Sequence, residues 1–278
     1  IGAAVKLAEA FDALAQQWPQ LHDFGARFAG LPVRNAGTLG GNVANGSPIG
    51  DSMPGLIALG ARLVLRQGSV QRRLPLDEFY LGYRQTALAP GEFIEAVEVP
   101  PAPAGSLFRC WKVSKRHDQD ISALCGAFAI SLADGRVSHV RIAFGGMAAT
   151  PARARATEAA LLGQPWTEAT VEAAITALCT EFKPLDDLRA SAAYRRQAAA
   201  GLLRRLDAAL AQDQGDQRGL GLGVLRGSLG SPGVALLADL QVDTGQHGDN
   251  HDADDQRIDA PVRGVPAEGE LRHLIRSA

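Results

Sequence analysis

Cysteine and aromatic residues are scarce in this sequence. Only three of the 278 residues are cysteine, and aromatic residues make up 5%. Cys110, Cys125 and Cys179 are far apart and form no C-x-x-C pair, so they indicate neither a zinc site, nor a redox dithiol, nor an iron–sulfur cluster. We predict that all three are buried thiols.

Segments that would direct the chain into a membrane are also absent. No stretch reaches 18 consecutive apolar residues, the length typical of a membrane-spanning helix. The first residues contain no basic segment followed by an apolar one, so a signal peptide is not indicated. We therefore expect a cytoplasmic protein without membrane contact.

An excess of positive charge is lacking as well. The net charge is −2, with −5 in residues 211–278 and therefore +3 in residues 1–210. Neither value is typical of a nucleic-acid-binding protein, and no nucleic-acid partner is predicted. With 46% hydrophobic and 21% charged residues, the chain can bury one large core or two modest ones.

What is abundant is glycine and asparagine in the segment 28–51, FAGLPVRNAGTLGGNVANGSPIGD, which has no helical or strand periodicity. Adjacent Gly40 and Gly41 lack Cβ and allow φ > 0, so the backbone can approach a bulky anion and direct N–H groups at it. Asp51 precedes an apolar run, which suits a carboxylate that accepts hydrogen bonds from sugar hydroxyls. The residues leave two alternatives open, a ligand loop or a structural glycine turn in which Asp51 or Ser52 caps a helix.

The rest of the first hundred residues alternates between helical and strand patterns. Apolar spacing predicts helices over residues 1–17 and 20–30 and another through 56–59. Strand-like segments are residues 62–66, 70–74 and 92–99, the first two joined by a Gly68-Ser69 turn. The Pro-Ala-Pro-Ala-Gly run at 101–105 then predicts a domain boundary.

A second domain is predicted over residues 106–211. Strand-like runs at 108–114, 121–132 and 137–144, with an Asp134-Gly135 hairpin turn, are followed by helical patterns at 151–162, 167–182 and 192–211. Strands and helices in separate blocks indicate an α+β fold with a three-stranded sheet packed against helices. The domains are therefore 1–101 and 106–211.

The last part of the chain, residues 212–278, differs in composition. It contains no aromatic residue and no lysine, but eleven glycines and nine aspartates. This composition predicts a disordered tail. A shifted reading frame is the alternative origin of such a tract.

Several motifs, in the same order, resemble the xanthine dehydrogenase family of molybdenum hydroxylases. The glycine-rich segment is similar to the second flavin-binding segment of the FAD domain, particularly in the bacterial small subunit. The motifs are RNAGTLGGNVANGSPIGDSMP, LPLDEFYLGYRQTALAPGEFI, KVSKRHDQDISALCGAF and RIAFGGMAATPARA. Residues 106–211 resemble the C-terminal domain of carbon monoxide dehydrogenase flavoproteins. The resemblance implies that residues 1–101 are the C-terminal portion of a flavin-binding α+β domain.

The resemblance also implies which residues contact FAD. Gly41 and Asn42 would lie near the pyrophosphate and Asp51 near the ribose. Ile94 would form an apolar wall against the isoalloxazine ring, and the Lys112 ammonium would lie near the polar edge of the ring, where positive charge favours reduced flavin. From the residues alone, Lys112 is alternatively a solvated charge on a strand. The full set is Phe28, Ala29, Thr38, Gly41, Asn42, Asp51, Ile94 and Lys112, with no catalytic acid or base and no metal ligand.

The family's activity implies an electron relay. Electrons from oxidation of hypoxanthine or xanthine to urate, at a molybdopterin on a large partner subunit, would pass through [2Fe–2S] clusters to FAD and then to NAD. The clusters and a first glycine-rich FAD loop lie upstream in relatives, so the sequence is interpreted as a fragment of a hetero-oligomeric enzyme. The alternatives are a flavoprotein subunit of carbon monoxide dehydrogenase or another molybdenum hydroxylase, or an interaction module that holds no flavin alone.

Other residues receive interpretations without a contact to FAD. In the family, residues 115–120 lie beside the flavin where nicotinamide approaches; here Gln119 replaces an acidic residue of some relatives, and His117 is predicted to be a surface residue. Residues 145–147 are predicted to form a close-packed turn. The arginines predicted to lie on a solvated helix are Arg195, Arg196, Arg204 and Arg205.

Overall fold

A computed structural model describes residues 1–103 and 105–220, with side chains through residue 213. The helices are α1 (Leu7–Ala15), α2 (Gln20–Ala26), α3 (Leu31–Ala36), α4 (Leu39–Asn45), α5 (Ser52–Ala58), α6 (Arg155–Leu161), α7 (Glu168–Glu181) and α8 (Ala192–Leu220). The strands are β1 (Arg62–Gln67), β2 (Val70–Pro75), β3 (Tyr80–Gly82), β4 (Gln85–Thr86), β5 (Phe93–Glu98), β6 (Ser106–Val113), β7 (Leu124–Ala133), β8 (Arg136–Gly145) and β9 (Ala152–Arg153). A short 3-10 helix spans Leu76–Glu78.

The N-terminal part, residues 1–103, is built on an antiparallel sheet in the order β2-β1-β5. Gly68, with φ of 57°, turns the β1–β2 hairpin as predicted. The first residues extend this sheet rather than opening a helix, because the Ala3 N–H donates to Glu95 O at 2.9 Å and the Val97 N–H donates to Ile1 O at 2.8 Å. Helix α1 therefore begins at Leu7, six residues later than the predicted start.

The C-terminal part, residues 105–220, is an antiparallel sheet in the order β6-β7-β8-β9 with helices α6, α7 and α8. Asp134 and Gly135, with φ of 52° and 73°, form the predicted turn between β7 and β8. Three of the strands were predicted; the fourth, β9, occupies two residues that were assigned to a helix. Ala152 pairs with Phe144, so this short segment is held by the edge of β8.

The sheet of the C-terminal part lies between two hydrophobic cores. Alternate side chains of β7 point to opposite faces, as strand geometry requires. Cys125 and Ala127 belong to the core shared with α1, α2, α4 and α5, whereas Phe128 and Ile130 belong to the core shared with α6, α7 and α8. The two parts of the chain therefore share one continuous apolar layer.

The predicted helix 192–211 continues to Leu220. The predicted disordered tail, residues 212–278, lies outside the described residues beyond residue 220. Within residues 1–103 and 105–220, no helix is both long enough and apolar enough to cross a membrane. Of the cysteines, Cys110 and Cys125 are buried as predicted, and Cys179 is partly buried.

The glycine-rich segment is largely helical, which corrects the expectation of an irregular loop. Pro32 lies in the first turn of α3, where its missing N–H costs no hydrogen bond. Thr38 caps the N-terminus of α4, and Gly46 ends that helix in the left-handed conformation, with φ of 56°. Helices α3 and α4 have only six and seven residues, which is too short for a periodic apolar pattern to be visible in the sequence.

Candidate functional site

The N-terminal turn of α4 contains the Thr38-Leu-Gly-Gly-Asn motif, and its backbone donors are already engaged. The Gly40 N–H donates to Ala3 O at 2.9 Å, and the Asn42 N–H donates to Thr38 O at 3.0 Å. The Gly41 N–H donates to the Thr38 side-chain oxygen at 3.1 Å. The adjacent glycines therefore do not direct free N–H groups at an anion.

Gly40 has a packing role that the sequence did not reveal. A Cβ at this position would lie 2.4 Å from the Ala3 Cβ and 2.8 Å from the Ala3 carbonyl oxygen. Neither Gly40 nor Gly41 has a positive φ, so the prediction based on φ > 0 is wrong. Gly41 is exposed, and its missing side chain leaves the surface of the turn open to close approach.

Asp51 lies at the N-terminus of α5 but does not cap it. Its Oδ2 accepts a hydrogen bond from Lys112 Nζ at 2.8 Å, and its Oδ1 accepts one from Ser122 Oγ at 2.5 Å. The capping alternative for Asp51 is therefore wrong. This carboxylate instead joins the N-terminal part to two residues of the C-terminal part.

The Asp51–Lys112 ion pair is buried. Asp51 is 6% exposed and Lys112 is 7% exposed, so the alternative of a solvated lysine is wrong. Hydrogen bonding to Cys110, burial and the nearby Asp51 carboxylate raise the pKa of Cys125, which keeps this thiol neutral beside the pair. A buried charge needs a partner to offset the cost of its desolvation. Removing either Asp51 or Lys112 would therefore leave the other as an unpaired buried charge.

Ser52 connects α5 to the Thr38–Asn42 turn. Its hydroxyl donates to Asn42 Oδ1 at 2.5 Å. This bond links the Asn42 side chain to the residue that follows Asp51 in the chain. Contacts thus link Thr38, Gly41 and Asn42 through Ser52 to Asp51 and Lys112; their role in binding FAD stays a prediction.

The Phe28-Ala29 turn is held by an arginine that the sequence analysis did not select. Arg34 Nη1 donates to the carbonyls of Ala26, Phe28 and Ala29, each at 2.8 Å. Ala29 is left-handed, with φ of 48°, a conformation that such contacts stabilise. The Phe28 ring packs against Phe11 at 5.4 Å between centroids, so this side chain contributes to the core.

The segment 115–120 lies against this turn. Arg27 Nε donates to His117 O at 3.1 Å, and a Cβ on Gly30 would lie 3.6 Å from the Gln119 side chain. His117 is exposed, as predicted. Ile94, by contrast, lies on β5 opposite Leu65 and is only 8% exposed, so the core covers most of its side chain.

Ser122, Ser52 and Arg34 contact members of the predicted set but were not selected in the sequence analysis. Ser122 lies within a motif that was recognised, immediately before the apolar run of β7. A serine at the border of a buried strand indicates a hydroxyl with a specific partner, since buried hydroxyls are nearly always hydrogen-bonded. Its partner, Asp51, is 71 positions away in the sequence, so no local sequence pattern can identify it.

The remaining hydrogen-bonding capacity of these residues fits the FAD implied by the resemblance. Among the described contacts, Lys112 uses one of its three donors and each Asp51 oxygen accepts one bond. The Thr38 hydroxyl and the Asn42 amide nitrogen also retain donors. One acceptor beside several neutral and cationic donors is a set suited to a sugar hydroxyl and a pyrophosphate.

The chain matches two protein families in succession. Residues 1–102 match the FAD binding domain in molybdopterin dehydrogenase, and residues 109–209 match the CO dehydrogenase flavoprotein C-terminal domain. The carbon monoxide dehydrogenase medium chain of Hydrogenophaga pseudoflava is 34% identical over 196 residues, covering 70% of this chain and 68% of that protein.

Longer relatives match over a small part of their length. Nicotinate hydroxylase of Emericella nidulans is 38% identical over 185 residues, which are 64% of this chain and 14% of that protein. Xanthine dehydrogenase of the same organism is 37% identical over 182 residues, which are 64% of this chain and 13% of that protein. The chain thus spans about a seventh of the length of these curated relatives.

Solved structures show the same fold. Carbon monoxide dehydrogenase from Hydrogenophaga pseudoflava superposes with a TM-score of 0.71 at 34% identity, covering 76% of this chain and 74% of that one. Quinoline 2-oxidoreductase from Pseudomonas putida 86 superposes with a TM-score of 0.67 at 26% identity, covering 77% and 74%. With its two matched domains in order and a relative that is 34% identical and covered over 68% of its length, this chain belongs to the FAD-binding flavoprotein family of the molybdenum hydroxylases.

Proposed function

We propose that this chain is the FAD-binding portion of a cytoplasmic, xanthine dehydrogenase-like enzyme that oxidises hypoxanthine and xanthine to urate with NAD as electron acceptor. Molybdopterin would be held by a large partner subunit, and [2Fe–2S] clusters by a region upstream of this sequence. The motifs SPIGDSMP and KVSKRHDQDIS favour the purine enzyme over other members of the family.

The observation that carries the FAD assignment is the buried Asp51–Lys112 ion pair with Ser122, formed between the two matched domains. A buried ion pair with a purely structural role is not expected to stabilise the fold more than apolar side chains of similar size would. Burying two charges with unused hydrogen-bonding capacity beside an open turn is instead a feature of binding sites.

Bound FAD would supply two-electron chemistry, accepting electrons and transferring a hydride to a nicotinamide. The residues of this chain would bind and orient it. The Thr38 hydroxyl and the Asn42 amide would donate to the pyrophosphate, and the missing side chain of Gly41 would let it approach the turn closely. Asp51 would accept from a ribose hydroxyl. Lys112 would bring positive charge towards the ring. The remaining members of the predicted set would be Phe28 and Ala29 at the adjacent turn and Ile94 on β5.

FAD binding tests the first part of the proposal. In protein extended upstream to include the first glycine loop, Asp51→Ala is expected to weaken FAD binding by about 1–3 kcal/mol, because a charged hydrogen-bond acceptor is lost. Isothermal titration with FAD measures this, and Glu172→Gln at an exposed ion pair is the matched control. The chain without the extension should bind FAD more weakly, since it would lack the second set of pyrophosphate donors.

Asp51→Asn refines the same test. Asparagine retains one carbonyl acceptor but not the negative charge, so FAD binding retained in Asp51→Asn but lost in Asp51→Ala would show that the charge of Asp51 is not needed for binding. Equal losses in both variants support direct binding by the carboxylate. A colourless protein that binds neighbouring subunits in every form would favour the interaction module.

The choice of substrate needs the assembled enzyme. Flavin reduction and NADH formation are measured separately with hypoxanthine, xanthine, nicotinate and carbon monoxide, the substrates named for the relatives or implied by the resemblance. Reduction by both purines with formation of NADH supports the proposal. Reduction by carbon monoxide or nicotinate alone would assign the chain to another branch of the family.

A further inference from the structure

Ser122 is buried two residues before the start of β7. It is 1% exposed. The next residue, Ala123, donates its N–H to Val113 O at 2.9 Å, so the backbone here is tied to the end of β6. Ser122 therefore presents its hydroxyl to Asp51 from a fixed direction.

The two groups that donate to Asp51 differ in what they constrain. Lys112 Nζ is an ammonium on a flexible four-carbon side chain, and it attracts either carboxylate oxygen. Ser122 has a short side chain and must donate its one hydroxyl hydrogen, since a carboxylate can only accept. Contact with Ser122 Oγ at 2.5 Å thus assigns Oδ1 to the serine and leaves Oδ2 for Lys112.

We propose that Ser122 is a positioning residue for the flavin, which it influences by fixing the rotation of the Asp51 carboxylate. This inference rests on the proposed function. Without the hydroxyl, both Asp51 oxygens are free to turn towards the Lys112 ammonium, and the acceptor for the ligand is misdirected. The carboxylate also neutralises more of the lysine charge, so less positive potential is left for the reduced flavin.

The chain contains a matched control for this hydroxyl. Ser131 lies on β7, is 9% exposed, and its Oγ has no hydrogen-bond partner among the described residues. Ser122→Ala and Ser131→Ala therefore remove the same group from two positions, one just before β7 with a partner and one within β7 without a partner. Ser122→Cys retains the volume and a weak donor, and it serves as a second variant if Ser122→Ala folds poorly.

The experiment compares these variants in the full-length protein, with FAD as the probe. Ser122→Ala is expected to weaken FAD binding by about ten- to a hundredfold, the range for a hydrogen bond to a charged group, and to shift the midpoint potential of the bound flavin to a more negative value. Ser122→Cys should lie between Ser122→Ala and wild type. Ser131→Ala should match wild type in affinity and potential.

The outcomes separate the inference from the proposed function. If wild-type protein does not bind FAD, the proposed function fails and the inference fails with it. If wild type binds FAD and Ser122→Ala matches Ser131→Ala in affinity and potential, the inference alone is overturned. A lower melting temperature of Ser122→Ala with unchanged potential would also overturn it, because that is the effect of a purely structural hydroxyl.

Discussion

At the scale of single residues, Arg195 shows how a charge on an apparently solvated helix is buried. The helical pattern predicts that Arg195 faces solvent, but it is 4% exposed, and that prediction is wrong. Its Nη2 donates to Asp187 Oδ1 at 2.7 Å and its Nη1 donates to Gly146 O at 3.2 Å. The loop before α8 folds back over the first turn of the helix and supplies the counter-charge.

Asp187→Asn is expected to destabilise the chain by about 3 kcal/mol at neutral pH, because it leaves a buried guanidinium without its counter-charge. Urea unfolding of wild type and variant measures the difference. The control is Glu172→Gln at the Arg204 pair, whose side chains are 47% and 55% exposed. An exposed pair of this kind contributes about 0–1 kcal/mol, so equal effects of the two variants would contradict the argument.

The same pair predicts a pH dependence. Partial burial opposes ionisation of Asp187, but the backbone N–H of Arg189, the Arg195 guanidinium and the backbone N–H of Ala190 outweigh it and lower the pKa of Asp187 to about 2. A lowered carboxyl pKa stabilises the fold above the unfolded value of about 4, and this contribution is lost as pH falls towards 2. The difference between wild type and Asp187→Asn should therefore shrink across that window.

At the scale of secondary-structure elements, α4 is positioned by a contact between two backbones. Gly40 allows the first turn of α4 to approach Ala3, and the N–H groups of this turn bind the residues that extend the sheet. A short helix of this kind has little stability by itself. Its position therefore depends on tertiary contacts, of which the glycine is the most sensitive to substitution.

Gly40→Ala is expected to destabilise the chain by about 1–3 kcal/mol or more, because the new Cβ would overlap the Ala3 backbone and overpack the junction. Gly201→Ala is the matched control, since Gly201 lies in α8 and a Cβ added there would meet no neighbouring atom within 4 Å. That change should stabilise by about 1 kcal/mol through helix propensity. Thermal unfolding of both variants distinguishes them, and similar stability would show that α4 can move aside.

At the scale of the whole described molecule, a second buried carboxylate joins the two parts of the chain. Asp77, on the 3-10 helix of the N-terminal part, has a side chain that is 5% exposed. It contacts Arg155 Nη2 at 2.7 Å, Arg141 Nη2 at 3.4 Å and Arg153 Nη1 at 3.6 Å, all from the C-terminal part. Arg141 also donates to Ile57 O, so the junction includes the end of α5.

Asp77→Asn is expected to reduce the free energy of unfolding by about 3 kcal/mol, because three guanidinium groups lose their shared counter-charge. Since both parts share the apolar layer beneath the sheet, unfolding should remain one cooperative transition with coincident fluorescence and circular dichroism curves. Two separate transitions in the variant would show that the Asp77 junction, rather than the shared core, couples the parts. An unchanged midpoint would contradict a stabilising role for Asp77.

Local chemistry in the sequence determined the parts of this fold that depend on near neighbours. The turns at Gly68 and Asp134-Gly135, the strands β1 and β7 and the close-packed turn at Gly146 were predicted and are confirmed. A Cβ at Gly146 would lie 2.5 Å from Ala123 O. Side-chain volume, backbone φ and strand period act over a few residues, so they can be read from a short window.

Tertiary structure alone decided which polar residues meet. Asp51 and Lys112 are 61 positions apart, and their pairing with Ser122 follows from packing α5 against the C-terminal sheet. Gly40 must be glycine because a Cβ there would overlap Ala3, which is distant in the sequence. Arg195 is buried because the preceding loop, with Asp187, folds over it. Burial and hydrogen-bond partners are properties of the folded arrangement, because the free energy of a charge depends on what surrounds it in space.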